Sequence, residues 1–137
     1  LNDLKGLHGT AFVFVSHDLT VVRALSDRVA VLYQGRICEM GPAAAVYGHP
    51  SHPYTESLLG AVLEPDPDQV PRLLAEDAVE LSPPARGCPF QRRCPFKRGP
   101  VCETDAPPAQ EARDGHVIHC HIPLDELRGL GQQAQNS

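Results

Sequence analysis

The sequence lacks an apolar run long enough to cross a membrane. Its apolar stretches at residues 12–15 and 29–33 have the length of β-strands, whereas a membrane-spanning helix needs about 20 apolar residues. It also lacks the pattern of a secretory signal peptide. We therefore expect any contact with a membrane to be made through a partner protein.

An excess of positive charge is also absent. The chain has 12 lysines and arginines against 17 aspartates and glutamates, for a net charge of -5. General affinity for nucleic acids normally needs a basic surface that neutralises phosphates. The charge balance therefore argues against a nucleic-acid partner.

Proline is missing from the first forty residues, since none of the 14 prolines precedes Pro42. Eight of them lie between Pro83 and Pro123. Regular secondary structure is therefore expected early in the chain and a loop-rich segment later. Because the first residue is Leu1 and not an initiator methionine, we also expect this chain to be a fragment of a longer protein.

The first 41 residues have the alternating pattern of an α/β fold. The predicted elements are the end of a helix at 1–7, a buried strand at 10–16, a helix over 19–26 that Asp18 or Thr20 caps, and a hairpin of strands 29–33 and 36–40. The buried strand ends on Ser-His-Asp, which places His17 where open α/β sheets bind ligands. His17 is therefore the first candidate site residue.

The later chain predicts helices at 43–47 and 54–63, an acidic linker punctuated by prolines, and a separate cysteine-bearing segment. That segment has too few large apolar residues to fold by burial alone, so we expect a covalent or metal crosslink to hold it. The resulting division of the chain is 1–41, 42–85, 86–127 and a disordered tail at 128–137.

Four cysteines form the second candidate site. Cys88, Cys94, Cys102 and Cys120 are separated by five, seven and seventeen residues, and no C-x-x-C pair occurs. These four cysteines could form disulfides or bind a zinc ion or an iron–sulfur cluster. Their wide spacing along the sequence suits a larger cluster whose ligands come from several loops. Nearby basic residues are expected to lower the thiol pKa values. Cys38 is interpreted as a small buried apolar residue.

The order of these early features resembles the end of an ABC-transporter ATPase domain, which has a P-loop NTPase fold. The resemblance is carried by the apolar strand with Ser16-His17-Asp18, the helix, Ser26-Asp27-Arg28, the next strand and Gly35-Arg36. It implies that His17 is the switch histidine, which contacts the γ-phosphate of Mg²⁺-bound ATP. No G-x-x-x-x-G-K-[ST] motif, Walker B aspartate or signature motif occurs, so this chain alone is not expected to hydrolyse ATP.

The later segment resembles the C-terminal extension of dipeptide and oligopeptide ABC importers, a pattern that nickel importers share. Gly87-Cys88-Pro89-Phe90, Arg93-Cys94-Pro95, the closing His116-x-x-His119-Cys120 and the stretch from Tyr47 to Leu59 carry this likeness. It implies a four-iron four-sulfur cluster with Cys88, Cys94, Cys102 and Cys120 as ligands, while His116, His119 and His121 are interpreted as loop residues. Residues 78–84 depart from the Gly-Glu-x-Pro-Ser-Pro loop of the family.

The resemblance also implies partners and a location. These are a second ATPase subunit, identical or homologous, transmembrane permease subunits, an external solute-binding protein acting indirectly, and the cytoplasmic face of the plasma membrane. We favour a structural role for the cluster over redox sensing. The alternative function is a stand-alone interaction module that binds an iron–sulfur cluster or zinc.

Overall fold

The computed structural model describes residues 9–63 and 82–135, together with residues 3, 6 and 7, which are helical. Its helices and strands, in chain order, are α1 (Leu19–Leu25), β1 (Arg28–Tyr33), β2 (Arg36–Pro42), α2 (Ala43–Gly48), α3 (Pro53–Leu63), α4 (Gly99–Thr104), β3 (Ala109–Glu111), β4 (Val117–His119) and α5 (Leu124–Gln135). Among the described helices, none combines the length and apolar character that a membrane span requires.

One antiparallel sheet organises the described residues, with the strand order β1-β2-β4-β3. The strands β1 and β2 form the predicted hairpin. Its turn places Gln34 at φ 49 and Gly35 at φ 77, and two successive residues with positive φ match the right-handed twist of the flanking strands. The predicted hairpin and the helices that became α1, α2 and α3 are confirmed.

A bulge in the hairpin decides which side chains of β2 are buried. Val31 pairs with Glu39, but the next residue, Leu32, pairs with Ile37, so Cys38 is an extra residue on its strand. A bulge interrupts the alternation of side chains between the two faces. Cys38 and Glu39 are consequently both buried, with 2% and 0% of their surface exposed.

The cysteine-bearing segment continues the sheet of the hairpin, although we expected it to lie apart. Glu39 pairs with Ile118 and Met40 pairs with Val117, which places β4 against β2. The outer edge of β2 has backbone groups that need hydrogen-bond partners, and β4 supplies them. Two parts of the chain that are distant in sequence thus share one sheet.

The segment at residues 10–16 differs from its prediction as a buried strand. It joins no strand among the described residues, and Val13 and Val15 are 96% and 99% exposed. An apolar run makes a strand only where a neighbouring strand accepts its hydrogen bonds. The described part of the chain provides no such neighbour for it.

The end of the chain also differs from its prediction, because α5 extends to Gln135 where we expected disorder from residue 128. Leu127 lies in a buried cluster with Ile118, Cys120 and Ile122. Burial of this apolar face against the end of β4 stabilises a helix that composition alone does not predict. The expected linker at residues 64–81 lies outside the described residues.

A buried carboxylate joins three parts of the chain. Glu39 Oε1 accepts a hydrogen bond from the backbone N–H of Ser51 at 2.9 Å and lies 2.6 Å from His116 Nε2. Glu39 Oε2 accepts a hydrogen bond from the backbone N–H of His52, also at 2.9 Å. We call these contacts the Glu39 clasp. The clasp ties β2 to the loop before α3 and to the residue before β4.

Replacing Glu39 with alanine should open this clasp. Loss of one partner of a buried pair typically costs about 3–5 kcal/mol, because the remaining donors are left without partners. Hydrogen exchange of the Ser51 and His52 amides in the complete natural protein measures the effect. The control Glu111→Ala changes an exposed residue of β3 and should shift stability by less than about 0.5 kcal/mol. Unchanged amide protection in the Glu39 variant would contradict the importance of the clasp.

Candidate functional site

The predicted nucleotide-contacting residue, His17, has an exposed side chain just before α1. Its neighbour Asp18 caps the helix, since Asp18 Oδ1 accepts hydrogen bonds from the backbone N–H groups of Thr20 and Val21 at 3.0 and 3.1 Å. The prediction that Asp18 is a cap is confirmed. The cap fixes the start of α1 and therefore the backbone next to His17.

The residues that follow α1 have structural roles, as predicted. Arg28 donates from Nη2 to the backbone carbonyl of Gly115 at 3.0 Å. The carbonyl of Asp27 accepts a hydrogen bond from the backbone N–H of Ala43 at 2.9 Å. These bonds connect the hairpin to α2 and to the turn before β4.

The four cysteines of the second candidate site lie in the interior, and none forms a disulfide. Cys88, Cys102 and Cys120 are 8%, 7% and 6% exposed, while Cys94 is partly buried. The backbone N–H of Cys88 donates to the carbonyl of Cys102 at 2.9 Å, which joins the loop of Cys88 directly to α4. The fold therefore brings together thiols that are distant in sequence.

Backbone hydrogen bonds oppose the effect of burial on these thiols. They lower the pKa of Cys88 (from Phe90 and Gln91), of Cys94 (from Phe96) and of Cys120 (from Ile122 and His121). The amide of Arg98 donates to Cys102 Sγ at 3.3 Å. Hydrogen bonds from amides favour a thiolate over a thiol. The arrangement thus provides a polar surrounding for negatively charged sulfur inside the protein.

Burial nevertheless has the largest effect on the pKa values of these thiols. It raises the pKa of Cys94 to about 11 and also raises the pKa values of Cys88 and Cys120. Repulsion from the other thiolates of the site raises these pKa values further.

The expectation that the basic residues lower these thiol pKa values is wrong for Cys88 and Cys94. Among the basic side chains, only Arg98 lowers the pKa of Cys120. Three of the other basic side chains contact different groups: Lys97 pairs with Glu103, Arg92 donates to the carbonyl of Ser82 at 3.2 Å, and Arg93 donates to the hydroxyl of Tyr33 at 3.3 Å.

The nearby histidines have separate roles. His116 contacts Glu39, and His121 Nε2 lies 2.9 Å from the carbonyl of Asp105. The Nδ1 atom of His119, at the end of β4, is buried and has no hydrogen-bond partner. Within the described residues, no three His, Cys, Asp or Glu side chains are arranged to hold a single metal ion.

Cys38 is buried, as predicted, but its position beside the four cysteines was not anticipated. Burial raises the pKa of its thiol to about 12, and the nearby thiol of Cys88 contributes to the same shift. A cavity of about 370 Å³ is lined both by β2 and by the cysteine-bearing segment. Its lining residues include Cys38, His52, Cys88 and His119. The bulge in β2 is what directs Cys38 into this region.

Sequence reasoning also missed Glu39 and His52. Burial lowers the pKa of His52 to about 4, so its ring is neutral at physiological pH. The sequence does contain a signal for Glu39, because it is a charged residue within an otherwise apolar predicted strand. A buried charge needs hydrogen-bond partners, so this position could have been predicted to have them. No comparable signal marks His52, whose neighbours predict only a stiff connector.

Gly87 controls the approach of Cys88 to Cys102. Its φ is +81, and an added Cβ would lie 2.3 Å from the carbonyl oxygen of Cys102. Gly87→Ala should therefore separate the loop of Cys88 from α4 and make the buried thiols react faster with a thiol-labelling reagent, at a cost of about 1–3 kcal/mol for the backbone conformation alone. Gly60→Ala is a matched control, since nothing lies within 4 Å of an added Cβ there. Equal labelling rates in both variants would refute this role.

Comparisons with known proteins match these features to one family. The family described as "Oligopeptide/dipeptide transporter, C-terminal region" matches residues 38–102. A putative peptide import ATP-binding protein of Brucella ovis is 42% identical over 122 residues, covering 88% of this chain and 38% of that protein. A probable peptide ABC transporter ATP-binding protein of Sinorhizobium fredii is 42% identical over 126 residues, covering 89% of this chain and 35% of that protein.

The oligopeptide transport ATP-binding protein OppD of Escherichia coli is 40% identical over 136 residues, covering 93% of this chain and 37% of that protein. The chain thus spans less than two fifths of the length of these curated relatives. The site geometry described above lies within the region that they share. By these matches, residues 38–102 are similar to the C-terminal region of oligopeptide and dipeptide transporters, and most of the chain is similar to the C-terminal part of peptide-import ATP-binding proteins.

Proposed function

We propose that this chain is the C-terminal part of the ATP-hydrolysing subunit of an ABC importer for peptides. The match of residues 38–102 to the C-terminal region of oligopeptide and dipeptide transporters carries this proposal. The relatives named as peptide-import ATP-binding proteins support it across nearly the whole chain. Nickel remains the second substrate class that the sequence pattern allows.

His17 is proposed to act at the γ-phosphate of ATP. Phosphoryl transfer to water needs positioning and charge stabilisation around the transferred group. A histidine can donate a hydrogen bond to a phosphate oxygen and orient the attacking water. The exposed position of His17 next to the capped start of α1 is compatible with this role. The groups that cradle the nucleotide and its Mg²⁺ would come from the rest of the protein.

The apolar surface around residues 11–16 supports the placement of this chain inside a larger ATPase domain. A cavity of about 590 Å³ lies between these residues, α1 and β1, and its lining is mainly aliphatic and aromatic. Exposed apolar surface of this kind is unfavourable in water. We propose that the remaining part of the ATPase domain covers it and pairs with residues 10–16 as a strand.

The proposed partners follow from the transport function. Two ATPase subunits would sandwich the nucleotides, and transmembrane permease subunits would hold the pair at the cytoplasmic face of the membrane. An external solute-binding protein would deliver the substrate to the permease. The segment at 42–127 is proposed to dock on the ATPase domain and to help keep the paired subunits in register.

The four-cysteine site is proposed to hold a four-iron four-sulfur cluster. Three buried thiols, one partly buried thiol and the Arg98 amide that donates to Cys102 Sγ match the ligand type and the sulfur hydrogen bonding of such clusters. Zinc is the alternative metal for four thiolate ligands.

The proposed role of the cluster is structural. When bound, it would supply folding free energy by crosslinking loops that are distant in sequence. Cys88, Cys94, Cys102 and Cys120 would be its ligands, and the amides around them would offset the negative charge. The alternative, a stand-alone metal-binding module, has no specific observation in its favour, since relatives named as ATP-binding proteins align with most of the chain.

The role of His17 can be tested by its replacement with alanine in the complete natural protein. Loss of one donor to a transition-state oxygen typically lowers kcat by about 100-fold or more, while ATP binding should persist. The measurement is steady-state ATPase activity together with equilibrium nucleotide binding. His49→Ala, an exposed histidine at the end of α2, should keep wild-type activity. A wild-type kcat in the His17 variant would rule out the proposed role.

The metal content can be tested in protein prepared without oxygen. We expect about four irons and four sulfides per chain, with the visible absorbance of an iron–sulfur cluster. Replacing Cys88, Cys94, Cys102 or Cys120 with alanine should remove the iron, whereas Cys38→Ala should retain it. Colourless protein that carries zinc, or iron loss in the Cys38 variant alone, would overturn the proposed ligand set.

A further inference from the structure

The backbone on both sides of His17 is tied to the first turn of α1. The backbone N–H of Asp18 donates to Ser16 Oγ at 3.0 Å, a bond that spans His17. The carbonyl of Asp18 accepts a hydrogen bond from the N–H of Val22 at 3.1 Å, and its side chain caps the same turn. A change in the orientation of α1 therefore moves His17 as well.

Tyr47 of α2 contacts that first turn directly. Its hydroxyl donates to the backbone carbonyl of Leu19, the first residue of α1, at 2.7 Å. The guanidinium carbon of Arg23 lies 5.8 Å from the centroid of the Tyr47 ring, within the range of a cation–π contact. Since Leu19 and Arg23 share one face of the helix, Tyr47 holds that face along a full turn.

The helix that carries Tyr47 is itself fastened to the sheet. Ala43 and Val46 of α2 are buried, and the N–H of Ala43 donates to the carbonyl of Asp27 at 2.9 Å, just after α1. No residue of α1, by contrast, is buried among the residues that the structure describes. Because a helix this short is marginal without tertiary packing, α1 depends on external contacts such as those of Tyr47.

We propose that Tyr47 is a positioning residue for His17, which fixes the start of α1 through its hydrogen bond to Leu19. This inference rests on the proposed role of His17 in ATP hydrolysis. Tyr47 acts through the backbone of α1 and not on ATP, so its loss should lower kcat and leave nucleotide binding unchanged. The same contact links the segment at 42–127, proposed to dock on the ATPase domain, to the histidine at the γ-phosphate.

The decisive variant is Tyr47→Phe, which keeps the ring beside Arg23 and removes only the hydroxyl. Its matched control is Tyr33→Phe, which removes a hydroxyl that accepts a hydrogen bond from Arg93 at 3.3 Å. Tyr33 is the last residue of β1, and its ring packs against Phe90 of the cysteine-bearing segment. Both variants lose one hydroxyl and one hydrogen bond, but only Tyr47→Phe loses a bond to α1.

The experiment measures steady-state ATP hydrolysis and equilibrium nucleotide binding by the complete natural protein. For Tyr47→Phe we expect kcat to fall about 3- to 10-fold, the effect that one neutral hydrogen bond can have on a rate, with nucleotide affinity unchanged. Tyr33→Phe should match the wild type. A wild-type kcat in Tyr47→Phe, or an equal fall in the control, would overturn the proposal.

A double variant tests whether the effect passes through His17. If Tyr47 acts by positioning His17, Tyr47→Phe should lower kcat no further in a His17→Ala background, because the two effects are coupled. A full additional fall in the double variant would show that Tyr47 acts by another route, which also overturns the proposal.

Hydrogen exchange separates the failure of this proposal from the failure of the proposed role of His17. If His17→Ala keeps the wild-type kcat, the role of His17 fails, and the contact of Tyr47 with α1 is judged by exchange alone. The amides of Thr20, Val21 and Val22 should exchange about 3- to 10-fold faster in Tyr47→Phe than in the wild type and the Tyr33 control. Equal exchange would show that Tyr47 does not position α1.

Discussion

The buried carboxylate of Glu39 is the interaction on which the rest of the described structure depends. Removing a carboxylate from water is costly unless hydrogen bonds compensate it. Here two backbone amides and the ring of His116 do so. Because these donors come from two further segments, the charge can be compensated only when both have docked on β2. The clasp therefore makes their packing interdependent.

The bulge at Cys38 is what makes the clasp possible. In a regular strand, Cys38 and Glu39 would point to opposite faces of the sheet. The extra residue turns both toward the interior, and β4 then adds to the edge of β2 beside them. Cys120 follows directly after β4.

The four-cysteine site combines two opposing influences on its sulfur atoms. Burial and mutual repulsion favour neutral thiols, whereas backbone hydrogen bonds favour thiolates. A cationic metal centre would tip this balance toward thiolates, because it neutralises the repulsion and replaces the lost hydration.

The apolar core and the aromatic contacts show how a segment rich in proline can still be ordered. Phe90 is 1% exposed and packs edge-on against Tyr33, with ring centroids 5.2 Å apart. Tyr54 of α3 contributes a further ring 5.4 Å away. The cysteine-bearing segment therefore packs its apolar side chains against residues of the hairpin and of α3. For this reason the core is larger than the few apolar residues of the segment itself would predict.

Local patterns in the sequence determined the cap at Asp18, the turn at Gln34-Gly35 and the helices α1, α2 and α3, because the interactions involved span only a few residues. The same patterns identified His17 and the four cysteines as candidates from residue type and spacing. They also led to a strand at 10–16 and a disordered tail, and both differ in the structure because strands and amphipathic helices depend on what lies beside them.

The tertiary structure alone decided the roles of Glu39, His52 and Cys38, and the addition of β4 to the hairpin. Their partners lie in segments far away along the chain, and nothing in the residue order specifies that these segments meet. Burial, bulge geometry and hydrogen-bond compensation are properties of the assembled fold. The sequence determined which groups were available for chemistry, and packing determined which of them act together.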